Sequence, residues 1–207
     1  MIKYVLIAVI VIAVIAAAAG GFHLYRVKSR NAGDMAEYSG STVVVNKNLG
    51  KVLVVYFSLS GNTRDIARRI QAKTNSDIYE IKTAQEIKNN PMLYFKTRSD
   101  LKNGIYPELQ GDIPDMGVYD IIFVGSPVWW YTVSTPVMAF LSKTDFKSGK
   151  VVPFSTQGSN PGTFLEDFGK MAKNANVTGY LSFNNMGKEY DKAVDNKISV
   201  WLNSLVP

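Results

Sequence analysis

The sequence predicts an α/β protein: a doubly wound, five-stranded parallel sheet preceded by a single N-terminal transmembrane helix. Three observations predict it. The chain opens on an uncharged stretch of 19 residues, Tyr4–Phe22. Beyond Lys51, short runs of β-branched and aromatic residues alternate with segments of helical period. Most of the net charge of +6 sits beside the apolar stretch and not in the remainder.

Composition narrows the chemistry. With 46% hydrophobic and 19% charged residues, the 207-residue chain is not disordered, collagen-like or of low complexity. The absence of cysteine excludes disulfides, thiolate zinc sites, iron–sulfur clusters and cysteine nucleophiles. The single histidine, His23, excludes His-rich metal sites, and any Ser-His-Asp hydrolase would depend on it.

Taken in order, residues 1–25 form a transmembrane anchor or a cleaved signal segment. As a helix, Tyr4–Phe22 covers about 28 Å at ~1.5 Å per residue, most of a hydrocarbon core of roughly 30 Å. The Ala16–Ala19 run with Gly20 offers small residues for signal cleavage, which would leave a secreted or extracytoplasmic domain. Against cleavage, Lys3 is the only basic side chain before the run, and the run exceeds the usual signal core. Arg26, Lys28 and Arg30 follow the span, which places the C-terminal side in the cytoplasm of a single-pass cell-membrane protein. Residues 26–50 read as basic flank and linker, and residues 51–207 as the domain.

Lys51–Phe57 is a continuous apolar run suited to a strand buried on both faces. Asn62–Thr74 carries Ile66, Ala67 and Ile70 at helical spacing. Ser76–Ile81 is a short strand, and Leu93–Leu101 a helix within the Pro-punctuated segment 83–115. Tyr119–Gly125 is a second buried strand, followed by a helix over Thr135–Leu141 with Pro136 in its first turn. Lys150–Ser155 is a strand whose Pro153 points to the sheet edge. Thr163–Ala172 is helical and Val177–Phe183 a strand. Lys188–Leu205 is a final amphipathic helix with Ala193, Val194, Ile198, Trp201, Leu202 and Leu205 on one face.

In such sheets ligands bind beyond the carboxyl ends of the strands, and three of those ends are informative. Ser58-Leu59-Ser60-Gly61-Asn62-Thr63 follows the first strand and opens a helix, where free N–H groups suit an anion; a plain Ser/Thr-capped helix start accounts for the same residues. It is neither a P-loop nor a Gly-x-Gly-x-x-Gly turn, and it lacks the acidic residues of a Mg²⁺-binding receiver domain. Pro127, Val128, Trp129, Trp130 and Tyr131 follow the second buried strand. Their flat faces suit a ring system, with one tryptophan packing into the core. Thr156, Gln157, Gly158 and Ser159 form a polar third loop that lacks the Gly-x-Ser-x-Gly spacing of a nucleophile elbow.

The Ser/Thr-x-Ser/Thr-Gly-x-Thr loop at 58–63 resembles the FMN-phosphate loop of flavodoxins. Pro107–Leu141, with its Trp-Trp pair, and Lys150–Ser159 are similar to the same family, and the resemblance covers about residues 51–205. It implies the strand order 2-1-3-4-5. It also implies FMN, with phosphate held by residues 58–63 and the ring beside residues 127–131 and 156–159. No aromatic occurs between Ser155 and Thr163 to cover the second ring face, so the ring is expected to be open on that side. An open face is the feature that would admit a substrate, as in an oxidoreductase. The resemblance itself implies electron transfer to a redox partner protein or small acceptor. It leaves open an NAD(P)H oxidoreductase reducing a quinone or similar molecule, and a module that has lost FMN.

Nucleic acid is not an expected partner. Residues 1–30 hold four basic side chains and no acid, leaving 19 basic against 17 acidic residues, or +2, for the rest. This near-neutral domain departs from the acidic surface common in flavodoxins, so less electrostatic resistance to full reduction is expected.

Overall fold

The computed structural model describes residues 2–185 and 187–205, so the last two domain residues, 206 and 207, lie outside the described residues. The chain runs α1 (Ile2–Ala36), β1 (Val52–Tyr56), α2 (Asn62–Thr74), β2 (Asp77–Glu80), β3 (Lys82–Thr83), α3 (Pro91–Lys102) and β4 (Leu109–Gln110). It continues with β5 (Ile121–Trp129), β6 (Thr132–Val133), α4 (Thr135–Lys143), β7 (Lys150–Gln157), α5 (Phe164–Met171), β8 (Asn176–Val177), β9 (Leu181–Asn184) and α6 (Asp191–Ser204).

The main sheet has the order β2-β1-β5-β7-β8, with β9 extending the last position and β6 folded back on β5. The expected doubly wound parallel sheet is therefore present, its fifth position split between β8 and β9. Alternation along β1 sends Val52, Val54 and Tyr56 into one core, with Ile66, Ile70, Ile198 and Trp201. Leu53, Val55 and Phe57 enter the other, with Phe140, Phe146, Phe164 and Phe168. All six residues assigned to the buried face of the last helix are buried.

Pro153 does not mark an edge: β7 lies between β5 and the β8/β9 position. The edge partner is interrupted opposite the proline, because β8 pairs with Lys150–Val151 and β9 with Phe154–Gln157. The Val151 carbonyl accepts Thr178 N on that side (3.0 Å). Two residues on, the nitrogen of Pro153 faces the gap, where no ladder donor is needed. Gly179 turns the chain in this gap with φ 65°, and its carbonyl accepts the Trp201 indole N–H.

Residues 31–50 are not a loose linker. Helix α1 runs on to Ala36, and Met35 and Leu49 are buried in the first core. The side chain of Asn196 receives Val43 N (2.9 Å) and donates to the carbonyls of Tyr38 (2.9 Å) and Ser41 (3.1 Å). Asn203 does the same for Asn46 N (3.0 Å) and Val44 O (2.9 Å). Two asparagines on α6 thus supply the partners that an irregular strand next to a helix otherwise lacks. Lys197 packs beneath this strap, donating to Ser182 O (3.0 Å) and covering the Phe183 ring. Burial pulls its pKa below the ordinary lysine value, partly offset by Asp34 and Glu37. The apolar part of α1 is long and apolar enough to cross a membrane, and it is exposed.

Candidate functional site

β1, β5 and β7 are adjacent, so their carboxyl ends bring the three expected loops to one edge. Phe57 continues the ladder by donating its N–H to Gly125 O (3.1 Å). A Cβ on Gly125 would overlap the Phe154 ring, so the close packing of β5 on β7 here requires glycine.

In the first loop, Ser58 Oγ accepts Gly61 N (3.1 Å) and Ser60 Oγ accepts Asn62 Nδ2 (3.2 Å). Gly61 sits at φ 98° and immediately precedes α2, a helix of 13 residues. The N–H groups of Ser60, Asn62, Thr63 and Arg64 have no acceptor among the described residues. Four free donors, two hydroxyls and the positive end of a helix dipole make an anion cradle. Apart from its two chain neighbours, no atom of the described residues lies within 4 Å of where a Gly61 Cβ would point, so the turn is open on that side. Arg64 is turned aside onto Glu80 (2.7 Å), which holds its guanidinium above its ordinary pKa. Burial and the same Glu80 push the Tyr56 phenol up.

The second loop is a tight hairpin. β5 pairs with β6 through Val128–Val133 and Trp129–Thr132, and Trp130 and Tyr131 are the two turn residues. Both have positive φ, 54° and 64°, as a type I′ turn requires. Such turns favour Asn and Gly, and two aromatics there cost about 1–2 kcal/mol each in backbone strain. The neighbours that hold this geometry are visible. Ser126 and Ser134 share a buried hydroxyl hydrogen bond (2.9 Å). Tyr131 O accepts Thr163 N (2.8 Å), and Asp167 receives the Thr163 hydroxyl (2.6 Å) as well as that of Thr132. Gly162 (φ 59°) permits this approach, since a Cβ there would overlap the Tyr131 carbonyl.

The two tryptophans diverge. Trp129 packs edge-on against Phe57 (5.7 Å) over the second core. Trp130 turns to α3: its indole N–H donates to Thr97 Oγ1 (3.1 Å), the Tyr94 ring packs on it at a tilt of 44° with centroids 4.0 Å apart, and Arg98 lies 5.1 Å from its ring. Tyr131 is left exposed.

In the third loop, Thr156 Oγ1 meets Thr63 Oγ1 (2.8 Å), joining it to the first loop. Gln157 is buried and receives the Ser155 hydroxyl (3.0 Å), while its backbone carbonyl accepts Asn185 N (2.7 Å). Gly158 and Ser159 reach the surface.

A cavity of about 380 Å³ lies between Val128–Tyr131, Gln157–Asn160 and the α3 residues Leu93, Tyr94 and Thr97 with their lead-in Asn89 and Asn90. Residues 58–63 do not line it. Ser58 and Leu59 border a separate groove toward Glu80, and Asn62 borders a small cleft by Thr156. Pro127 lies in β5 beneath the hairpin, paired with Thr156. The structure thus links the three loops through Phe57–Trp129 and Thr63–Thr156 but does not enclose them in one cavity.

Sequence reasoning missed the α3 wall. Asn90 caps α3 by accepting Leu93 N (3.1 Å), and the Asn-Pro pair at 90–91 signals that start. Nothing in the local pattern of Tyr94, Thr97 or Arg98 signals that they hold a tryptophan of another loop. Among the described residues, no group of three or more acidic or histidine side chains could hold a metal ion.

A turn with free N–H donors after β1 and an aromatic hairpin after β5, on a sheet of order β2-β1-β5-β7-β8, define an open α/β protein with both features at its switch point. The chain belongs to the flavodoxin family, whose sequence model, described as Flavodoxin, matches residues 51–203. A flavoprotein of Lactobacillus acidophilus NCFM, solved in complex with FMN, is 28% identical. That likeness covers 64% of this chain and 92% of that one, with a TM-score of 0.58. A putative flavoprotein of Bacteroides eggerthii DSM 20697 shares the fold at 24% identity, covering 74% of this chain and 96% of that one, with a TM-score of 0.62. Another, of Bacteroides uniformis ATCC 8492, does so at 22% identity, 75% and 99% coverage and a TM-score of 0.61. No curated protein matches the chain significantly.

Proposed function

We propose that this is a membrane-anchored flavoprotein that binds FMN and transfers electrons at the membrane surface. The observation that carries the proposal is the turn at residues 58–64, with four uncommitted N–H donors beside an aromatic slot. The residues fit the cofactor: hydroxyls and helix N–H groups for a phosphate, flat side chains for a ring. The FMN complex of the Lactobacillus relative supports the same reading.

The hydroxyls of Ser58 and Ser60 and the N–H groups of Ser60 and Asn62–Arg64 would hold the phosphate. Asn62 Nδ2, released from Ser60, adds a further donor. Of the paired Thr63 and Thr156 hydroxyls, one hydrogen remains free for a ligand. Trp129–Tyr131 and Gln157–Ser159 would flank the ring, and α3, held on Trp130, shields that side from water. Bound FMN supplies the redox chemistry; the chain supplies position and field. No acid–base residue is required, which suits a chain with no cysteine and one histidine.

The basic flank Arg26–Arg30 favours a cytoplasmic domain behind an uncleaved span. The chain has no cysteine, so a Ser39→Cys variant carries a unique label site. Protection of that site from an impermeant reagent in intact cells is expected, and labelling from outside would overturn the assignment.

A second reading, an FMN-dependent NAD(P)H oxidoreductase, is favoured by one observation. A cavity of about 680 Å³ between α3 and residues 84–88 and 105–108 shares Asn90, Leu93 and Thr97 with the aromatic slot. One experiment tests both readings. The full chain, purified in detergent with FMN, is expected to retain one flavin per chain; none retained overturns FMN binding. NADPH or NADH oxidation with an added quinone separates enzyme from carrier.

A further inference from the structure

The strap along α6 sets the direction in which α1 leaves the domain. Following the chain backwards, Lys47 bonds Leu205 O, Asn46 bonds Asn203, and Val43 and Tyr38 bond Asn196. Asn31 and Met35 are buried. Arg30 then reaches Asn184 Oδ1 (3.5 Å), and Asn184 donates to Asp34 (3.3 Å). Asn184 is the last residue of β9, a strand parallel to β7. It therefore lies at the carboxyl edge of the sheet, the edge that carries all three loops. Before residue 27 every side chain described in α1 is exposed, so the apolar helix projects from that edge, away from the domain.

The spacing is short. From Arg30 to Phe22 is about 12 Å along a helix at ~1.5 Å per residue. The headgroup layer is roughly 5–7 Å thick on each side of the hydrocarbon. A continuous helix with Arg26 at the headgroups therefore holds Arg30, and the carboxyl edge beside it, about 5–7 Å beyond the headgroup layer.

That edge has the chemistry of an interfacial surface. Met92, Tyr94 and Phe95, at the start of α3, are 69%, 60% and 65% exposed. Around them, residues 88–102 hold Lys88, Lys96, Arg98 and Lys102 against a single acid, Asp100. Apolar and aromatic side chains ringed by basic ones match an anionic lipid surface. The rest of the domain is close to neutral, so this is a local concentration of charge.

We propose that the carboxyl edge of the sheet rests on the bilayer that α1 enters, with Met92, Tyr94 and Phe95 in the headgroup layer. The candidate flavin site then faces the membrane and not the aqueous phase. This rests on the reading of α1 as a membrane span.

The test uses the full, naturally cysteine-free chain with single labels at Val14→Cys in α1, Phe95→Cys in α3 and Lys143→Cys at the opposite edge. Each variant carries an environment-sensitive fluorophore. It is reconstituted into vesicles of phosphatidylcholine and phosphatidylglycerol in equal amounts, doped with nitroxide lipids. Acyl-chain nitroxides are expected to quench residue 14. Headgroup nitroxides are expected to remove most of the emission at residue 95 and little at residue 143. Quenching at 14 with equal, weak quenching at 95 and 143 overturns the edge contact while the span stands. No quenching at 14 overturns the span itself, and the edge contact with it. A blue shift at 95 without quenching assigns the surface to contact with a second copy of the chain and also overturns the proposal.

Discussion

Gly61→Val is expected to abolish retention of FMN with little loss of fold stability. The turn holds Gly61 at φ 98°, a region a β-branched residue enters only with strain of about 1–2 kcal/mol. Beyond its chain neighbours, no atom of the described residues stands within 4 Å of the new Cβ, so the core of the domain is untouched. The strain is relieved by rotating the turn, which withdraws Gly61 N from Ser58 and re-aims the N–H groups of Asn62–Arg64. If the turn holds instead, the valine methyls occupy the open space before the cradle. Either outcome removes a phosphate site while Ile66 and Ile70 keep α2 packed on the sheet. Flavin stoichiometry and the thermal midpoint, measured together on one preparation, check this. An unchanged stoichiometry with an unchanged midpoint would remove the cradle from the candidate site.

Trp130→Ala is expected to weaken FMN binding by at least tenfold and to free α3. Three contacts are lost together. They are the indole hydrogen bond to Thr97, worth about 1 kcal/mol, the Tyr94 pair, about 0.5–1.5 kcal/mol, and the Arg98 contact, about 0.5–1 kcal/mol. Alanine relieves none of the positive-φ strain, because it too carries a Cβ. Faster proteolysis between residues 84 and 106, together with a raised FMN dissociation constant, is the expected pair of results. Trp129→Ala, which also removes a ring from the slot, is the comparison. Its ring lies on Phe57 and the second core, so its loss is expected to lower the thermal midpoint first. Normal FMN affinity and normal proteolysis in Trp130→Ala would show that the α3 wall does not serve the site.

Both variants show where sequence reading succeeds and where it stops. The glycine turn that opens α2 was legible because everything it needs is local: hydroxyls, a glycine and a helix start within six residues. Helix α2 and the apolar face of α6 were legible for the same reason, through periodicity over adjacent residues. The place of Pro153 was not, because the break that accommodates it lies on another strand. Nor was the strap at residues 37–50. Its own residues are polar and glycine-containing, and its hydrogen-bond partners, Asn196 and Asn203, lie more than 150 residues away. The hairpin at Trp130 and Tyr131 ran against local preference. Two aromatics occupy backbone positions suited to Asn-Gly, and contacts from the Ser126–Ser134 pair, Thr163, Asp167 and α3 hold them there.

What the sequence by itself determined is the class of the domain, the order of its principal strands and helices, the three polar or aromatic loops at the strand ends, and the apolar segment before them. These follow from short-range pattern, which burial and backbone geometry impose residue by residue. Only the tertiary structure decided that Trp130 leans on α3, that the turn at residues 58–63 and the aromatic slot are joined yet not one cavity, and that α1 leaves from the edge bearing the three loops. Each of these depends on side chains far apart in the chain meeting across the sheet. Local periodicity carries no record of such meetings.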